Sequence, residues 1–212
     1  MAPAVADLSL HMDFTPTTLA GLIIAASFAA GLNIYATVLT LGILARMHWV
    51  ELPPGLDILT NWWVMAAGAA LFSVEFFADK IPGFDLVWNA LHTFIRIPLA
   101  ALLAYRATLQ LSPGMQLLAT TAGALIALAA HSSKTAARTL VTASPEPVSN
   151  IALSSGEDAV AIGLTWTATH HPLIAGGGAA SFTVAAILTV RWIVQAVSKT
   201  WKKLWQPADA MI

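Results

Sequence analysis

Residues 17–46 decide the class of this protein; they read TTLAGLIIAASFAAGLNIYATVLTLGILAR and contain no charged residue before Arg46. A helix that crosses the hydrocarbon core of a bilayer needs about 20 mostly apolar residues, because it rises about 1.5 Å per residue across about 30 Å. The stretch is longer than one straight crossing requires, and Gly31, Leu32 and Asn33 lie near its middle. We therefore expect a membrane-embedded helix that tilts or breaks at these three residues.

Five further apolar stretches follow, near residues 62–78, 84–105, 115–130, 148–169 and 173–198. The turns between them contain prolines, glycines and charges, as in Asp79-Lys80-Ile81-Pro82-Gly83, which stop helices. The stretches are continuously apolar and do not alternate, which favours helices over a membrane barrel. The sequence predicts an all-α, polytopic membrane helix bundle with about six transmembrane helices, or five if one segment is re-entrant.

The composition excludes several classes of protein. Hydrophobic residues make up 58% and charged residues 10% of the chain, against roughly 45–50% and about 25% in soluble domains. A soluble single domain and a disordered chain are excluded. A net charge of −1 gives no basic surface for nucleic acid, and the lack of cysteine excludes disulfides and thiolate sites. The expected partner is the lipid bilayer.

We predict one integral membrane domain over residues 1–212: a polar leader (1–16), a first half (17–106), a second half (115–198) and a basic aromatic tail (199–212). The halves share an Ala-Ala pair followed by polar residues, at Ala29-Ala30 and Ala129-Ala130, and each carries a later proline break. The match is weak, and chance explains it equally well. If it is a repeat, three crossings per half force the second half to insert upside down, as in many secondary transporters.

The basic residues of the short loops and the tail predict orientation. With six crossings, Lys80 and the tail cluster of Lys199, Lys202 and Lys203 lie on the side of the N-terminus. The positive-inside rule therefore favours both termini in the cytoplasm of a multi-pass inner-membrane protein.

Asp85, Asn89, His92 and Arg96 follow one another at spacings of four, three and four, so they share one face of a helix. An ionised group inside hydrocarbon costs at least about 2.5–3.5 kcal/mol on insertion scales, so such residues need a partner or water. Two interpretations stay open: an aqueous path or substrate site, and a structural stripe of ion pairs.

Two more polar sets lie in the second half. His131, Lys134 and Arg138 suit a bound anion, but they also suit carboxylates of other helices or a position at the membrane interface. Glu146 lies between two prolines, where a helix break can coordinate an ion. Asn150 is a candidate ligand or a helix cap.

Four carboxylates complete the inventory of ionisable groups. Glu157 and Asp158 are adjacent, so they face different directions and do not share a ligand. Glu75 and Asp79 are four apart on one helix, so each raises the pKa of the other and one of them is a candidate proton carrier. A charge pair with Lys80 at the helix end is the other interpretation, and both stay open.

Signatures of enzymes and metal sites are absent from the sequence. There is no HExxH, Gly-x-Ser-x-Gly or Walker motif, and the adjacent His170 and His171 do not have metal-ligand spacing on a helix. We expect no catalytic residue, no cofactor and no metal.

Four segments carry a resemblance: residues 30–37 (AGLNIYAT), 77–85 (FADKIPGFD), 131–134 (HSSK) and 144–150 (SPEPVSN). From about Leu19 to Arg191 the chain resembles a family of bacterial membrane proteins known as domain of unknown function four-one-two-six. The resemblance implies a bacterial inner-membrane protein with motifs at these polar positions, and no particular activity.

The leading hypothesis is a small secondary transporter or permease for a polar or anionic small solute, coupled to protons or a cation. Cationic residues would attract the solute, carboxylates would carry the coupling ion, and amides and imidazoles would donate hydrogen bonds. The candidate residues are Asn33, Asp79, Asp85, Asn89, His92, Arg96, His131, Lys134, Arg138, Glu146, Asn150 and Glu157. A passive channel and a non-transporting scaffold or assembly protein are the alternatives, and self-association into a homo-oligomer stays open.

Overall fold

The computed structural model describes residues 14–81, 83–142 and 147–204, with side chains undescribed at 140–142, 147 and 200–204. In this part of the chain seven helices follow one another: α1 (Pro16–Arg46), a short 3-10 helix (Pro54–Thr60), α2 (Trp62–Ala78), α3 (Phe84–Ala107), α4 (Pro113–Thr142), α5 (Pro147–His170) and α6 (Pro172–Leu204). The predicted all-α class is confirmed, and the six long helices begin within two residues of the predicted stretches. The short helix was not predicted.

Local sequence explains where the helices start and stop. The Thr15 side chain accepts a hydrogen bond from the Thr18 amide at 3.3 Å, and Asn61 caps α2 by accepting from the Trp63 amide at 2.9 Å. Gly83 has φ +84°, a conformation that glycine adopts without strain, and it directly precedes α3.

α1 is not a straight helix. Asn33 has non-helical dihedral angles, φ −150° and ψ 103°, so the predicted local break is confirmed. In a straight helix Ile23 and Leu41 would lie about 27 Å apart, yet both line one small cavity together with Ala104 of α3. The chain therefore reverses at Asn33, and residues 16–32 and 34–46 form a helical hairpin with its tip at Asn33.

The two ends of α1 lie at the same end of the bundle. Leu19 lines a cavity with Thr108 and Met115, between α3 and α4. The guanidinium of Arg46, the last residue of α1, donates to the Thr60 carbonyl at 3.0 Å. We call this the Arg106 end, because Arg106 also lies there, and we call the opposite end, with the turn between α2 and α3, the Lys80 end.

The hairpin lies at the centre of the bundle and packs against α3, α4, α5 and α6. Glycines permit the closest approaches: a Cβ on Gly31 would lie 2.5 Å from the Ala127 carbonyl oxygen, and a Cβ on Gly176 would lie 2.6 Å from the Gly21 Cα. These small residues let helix backbones touch, as is typical of packing in membranes.

The outer helices present large apolar side chains to the surroundings, including Trp63 at 78% and Phe94 at 81% exposure. By length and composition, four helices of the described chain suit a membrane crossing: Pro16–Arg46, Phe84–Ala107, Pro113–Thr139 and Pro172–Lys199. The Pro54–Thr60 helix and α2 meet at 67° and would add a fifth as one broken span. The predicted count of six crossings is not confirmed.

Candidate functional site

Polar and charged side chains of five helices meet in the interior of the bundle. We call them the polar cluster: Asn33 of α1, Glu75 and Asp79 of α2 and its C-cap, Asp85, Asn89 and Arg96 of α3, His131, Lys134 and Arg138 of α4, and Asn150, Glu157 and Asp158 of α5. Each of these residues is at most 8% exposed. Because an unpaired buried charge is costly, the contacts between these groups decide what the cluster can do.

Asp79 is the hub of the polar cluster. Its Oδ2 accepts hydrogen bonds from Lys134 Nζ at 2.8 Å and from Arg138 at 2.9 Å, and its Oδ1 accepts a longer one from Asn89 at 3.3 Å. Burial alone would raise the pKa of Asp79, but Lys134 and Arg138 outweigh it and hold this pKa below its ordinary value. Asp79 is therefore ionised at neutral pH.

Lys80 does not pair with Asp79. Its ammonium donates to the Phe76 carbonyl at 3.0 Å and lies 3.1 Å from the centre of the Phe76 ring. Burial lowers the pKa of Lys80, although Asp158 and Asp79 act in the opposite direction. The alternative interpretation of Asp79 as half of a pair at the helix end therefore lacks the contact that it needs.

Lys134 joins the polar cluster to the tip of the α1 hairpin. Its ammonium donates to the Leu32 carbonyl at 3.0 Å, and this carbonyl is free because the helix breaks at the next residue. Glu75 and Glu157 each approach the same ammonium to 3.5 Å. The cation thus lies where the negative end of the first α1 segment meets several carboxylates.

Asn33 itself holds the second α1 segment in place. Its Oδ1 accepts from the Ala36 amide at 2.9 Å, as a helix cap does, and its Nδ2 donates to Asp158 Oδ1 at 2.8 Å. An interrupted helix therefore presents a helix N-terminus and a freed carbonyl to one group of charges. This arrangement is typical of ion and substrate sites in transporters.

Arg138 links three parts of the chain. It donates to Glu157 of α5 at 2.5 Å, to Asp79 and, at 3.4 Å, to Asp85 at the start of α3. Asn150 of α5 donates to the Asp79 backbone carbonyl at 3.1 Å. This hydrogen bond joins α5 to the end of α2 and is not a cap of α5.

Arg96 forms a second centre nearer the middle of α3. It donates to Glu75 at 2.5 Å, to Asn89 Oδ1 at 3.0 Å and to His131 Nδ1 at 3.0 Å. A ring nitrogen that accepts from a guanidinium carries no proton. His131 therefore bears its proton on Nε2 and donates it to Thr93 at 2.7 Å.

The predicted polar face of α3 is confirmed. Asp85, Asn89, His92 and Arg96 are all buried, as the spacing of four, three and four requires. His92 lies beside the cluster: its Nδ1 bonds to the Trp88 carbonyl at 2.8 Å, and its ring packs against the Trp88 ring with the two planes tilted by 31°.

The polar cluster has more acids than bases. It contains five carboxylates and three cationic side chains, so with all of them ionised it carries two more negative than positive charges. Four buried acceptor oxygens have no hydrogen-bond partner in the described part of the chain: Glu75 Oε2, Asn150 Oδ1, Ser154 Oγ and Asp158 Oδ2. Bound protons, water or a cation would satisfy these oxygens. No three His, Asp or Glu side chains of the described residues are placed to hold a metal ion.

The structure brings together ten of the twelve predicted site residues. His92 is adjacent to the group, and Glu146 lies outside the described residues. The site list missed Glu75 and Asp158, which bind Arg96 and Asn33. The available signal for Glu75 was its position one helical turn before Asp79, on the same face of α2. The expectation that Glu157 and Asp158 face different directions was wrong, because both are buried in the interior, where they reach different partners.

The polar cluster extends from mid-depth toward the Lys80 end. Arg96 and Asp158 lie halfway along α3 and α5, whereas Asp79, Asp85 and Arg138 lie near helix ends. Asp85 and Arg96 are eleven residues apart, which corresponds to about 16 Å along the helix axis. The charged groups therefore span about half the thickness of a membrane core.

Residues 20–192 match the protein family described as Domain of unknown function (DUF4126), and the chain belongs to it. Neither the curated proteins nor the solved structures give a match.

Proposed function

We propose that this member of the family is a small secondary transporter or permease for a polar or anionic small solute. The carrying observation is the polar cluster at the tip of an interrupted helix. Arg96, Lys134 and Arg138 would exchange their internal carboxylate partners for the anionic group of the solute. The solute would thus replace existing ion pairs of these cations, and the displaced carboxylates would need protons or cations in their place.

The excess of carboxylates supports coupling to protons or a cation. A buried group with two surplus negative charges is unfavourable in low dielectric, so one or two positive charges would accompany the solute. Asp79 is held ionised by two cations, which leaves the coupling role to the carboxylates with weaker contacts. Asp158 is the clearest, because within the described part of the chain it bonds only to the Asn33 amide, and one of its oxygens has no partner there.

For topology we propose five crossings and a re-entrant α1. The hairpin enters and leaves at the Arg106 end, and the crossings are the broken 3-10 helix with α2, then α3, α4, α5 and α6. The positive-inside rule then favours a cytoplasmic Lys80 end, which carries the basic tail, in a bacterial inner membrane. The predicted placement of both termini in the cytoplasm requires six crossings. The five crossings proposed here place the termini on opposite sides of the membrane.

The inverted repeat stays a prediction. It equates α1 with α4, and these two helices do share packing partners: α1 packs on α6 as α4 packs on α3. However, α1 reverses direction while α4 is continuous. The close backbone packing of α1 along α5 has no counterpart between α4 and α2 in the described residues, where these two helices meet through the side chains of Lys134 and Glu75.

Single cysteines test the topology, because the chain has no cysteine of its own. Thr17→Cys and Glu51→Cys flank the hairpin. In intact vesicles a membrane-impermeant thiol reagent should label both from the same side, and Lys199→Cys from the opposite side. Labelling of Thr17→Cys and Lys199→Cys from the same side would refute the re-entrant arrangement.

Flux in proteoliposomes tests transport. The purified chain is reconstituted, and uptake of a panel of small organic and inorganic anions is measured with and without gradients of protons or sodium. Gradient-dependent accumulation of at least one solute is expected, and Lys134→Gln should abolish it. Absence of uptake across the whole panel would contradict the proposal, and uptake that no gradient accelerates would indicate a passive channel.

A non-transporting scaffold is the second candidate, because each cation of the polar cluster is already paired with a carboxylate. Exchange of one pair separates the two functions. Glu75→Arg combined with Arg96→Glu keeps opposite charges across the 2.5 Å contact. The double variant is compared with each single variant. A transporter should regain its fold in the double variant but lose flux, whereas a scaffold should regain full function in cells.

A further inference from the structure

An apolar cavity lies apart from the polar cluster. It has a volume of about 440 Å³ and lies between the second segment of α1, the Pro54–Thr60 helix, α2 and α3. Its walls include Tyr35, Val38, Leu71, Leu99 and Leu103, and among the described residues that line it Arg106 is the one with a charge. The volume falls in the range of about 300–1,000 Å³ that is common for small-molecule sites.

The cavity opens between α2 and α3 toward the surroundings of the bundle. These two helices touch each other only over a short stretch. Leu71 of α2 and Leu102 of α3 line the cavity and are 41% and 50% exposed. In a membrane, this opening faces the alkyl chains of the lipids, so a ligand would enter sideways from the bilayer.

Arg106 marks the outer end of the cavity. It lies in the last turn of α3, and its Nε donates to the Gly55 carbonyl at 2.9 Å. No carboxylate of the described residues forms an ion pair with it. Trp62 lies at this same end of the bundle, with the Arg46 guanidinium over its ring. Because tryptophan is enriched at the depth of the lipid headgroups, this end of the cavity suits that depth. The remaining guanidinium nitrogens can bind a carboxylate in bidentate fashion.

We propose that this cavity binds a fatty acid from the bilayer. The alkyl chain would lie against Leu99 and Tyr35 and point toward mid-depth, and the carboxylate would pair with Arg106. A single alkyl chain suits an apolar cavity of this volume with a cation at its outer end. The proposal does not depend on transport by the polar cluster.

Photolabelling of the full chain in neutral-lipid vesicles tests the proposal. The probe is a palmitate analogue with a diazirine near the end of its chain, and mass spectrometry locates the adducts. Adducts are expected on cavity residues of α2 and α3. Ala67→Trp fills the cavity and should reduce these adducts at least fivefold, while Ala66→Trp, on the neighbouring residue that does not line the cavity, should leave them unchanged.

The headgroup contact has its own test. Arg106→Gln and a fatty alcohol of the same chain length should each lower the labelling about tenfold, as loss of one charge-assisted contact does. Thermal unfolding of each variant in detergent shows whether it is folded. Three results would overturn the proposal. They are labelling by the alcohol that equals labelling by the acid, adducts on the lipid-facing Phe94 as abundant as those on the cavity residues, and undiminished labelling of a folded Ala67→Trp protein.

Discussion

Asp79→Asn removes the charge at the hub of the polar cluster. Asp79 accepts from Lys134 at 2.8 Å and from Arg138 at 2.9 Å. Breaking a buried ion pair by removing one partner typically costs about 3–5 kcal/mol. Glu157 still contacts Arg138 at 2.5 Å and approaches Lys134 to 3.5 Å. We therefore expect a loss at the lower end, about 3 kcal/mol of the free energy of unfolding.

Two matched variants show whether charge pairing causes this loss. Asp158→Asn also neutralises a buried carboxylate, but Asp158 bonds to the Asn33 amide, so about 1 kcal/mol is expected. Asp57→Asn changes an exposed carboxylate and should stay within about 0.5 kcal/mol of the unmodified chain.

The assay is reversible unfolding in mixed micelles with a rising fraction of SDS, followed by the fluorescence of the eight tryptophans. A loss for Asp79→Asn that is no larger than the loss for Asp158→Asn would refute the role of Asp79 as a hub of ion pairs.

Three further predictions concern packing, the α1 tip and pH. Gly31→Ala should cost about 1–3 kcal/mol in the same assay, because its Cβ would lie 2.5 Å from the Ala127 carbonyl oxygen, whereas Gly163→Ala, with open space around it, should be neutral. Asn33→Ala should cost about 2 kcal/mol, because it leaves Asp158 and the Ala36 amide without their buried partner. Because the pKa of Asp79 is lowered on folding, its stabilisation is complete above the unfolded value near 3.9 and is lost as pH falls through the folded value. Thermal unfolding should therefore show a full and nearly constant contribution from Asp79 between pH 7 and 5 and a falling contribution below about pH 4, and the fall should be smaller in Asp79→Asn.

Each of these predictions has a clear contrary result. Equal stability of Gly31→Ala and Gly163→Ala would contradict the close approach of α1 and α4. An unaltered Asn33→Ala would contradict the account of the hairpin tip. An Asp79-dependent loss of stability already at pH 6 would contradict an ionised hub.

Much of the fold follows from patterns that are local in sequence. The apolar stretches, their proline and glycine breaks and the polar face of α3 each depend on residues a few positions apart, so periodicity predicts them. The break in α1 was predicted from Gly31, Leu32 and Asn33, because small and amide residues in a long apolar run weaken a helix.

The reversal of α1 was not predictable from the same residues. A straight helix and a hairpin of two helices have the same hydropathy, and only the contacts of Ile23 and Leu41 with α3 separate them. The partners of the charges were equally out of reach, since Glu75 and Arg96 lie on different helices and meet only through tertiary packing. For that reason Glu75 was predicted as a proton carrier or as part of a charge pair with Lys80, and not as the partner of an arginine.

The central claim, that solute and water reach the polar cluster, is tested most directly by the reactivity of a single cysteine at Ser154, on the turn of α5 between Asn150 and Asp158. Ser154 is fully buried on the inner face of α5, and Ser73 is exposed on the outer face of α2. We expect Ser154→Cys to react with a charged, membrane-impermeant methanethiosulfonate reagent from the Lys80 side only, and a transported solute to slow the reaction, while Ser73→Cys in lipid stays unreactive. A folded Ser154→Cys protein that reacts from neither side would contradict the account.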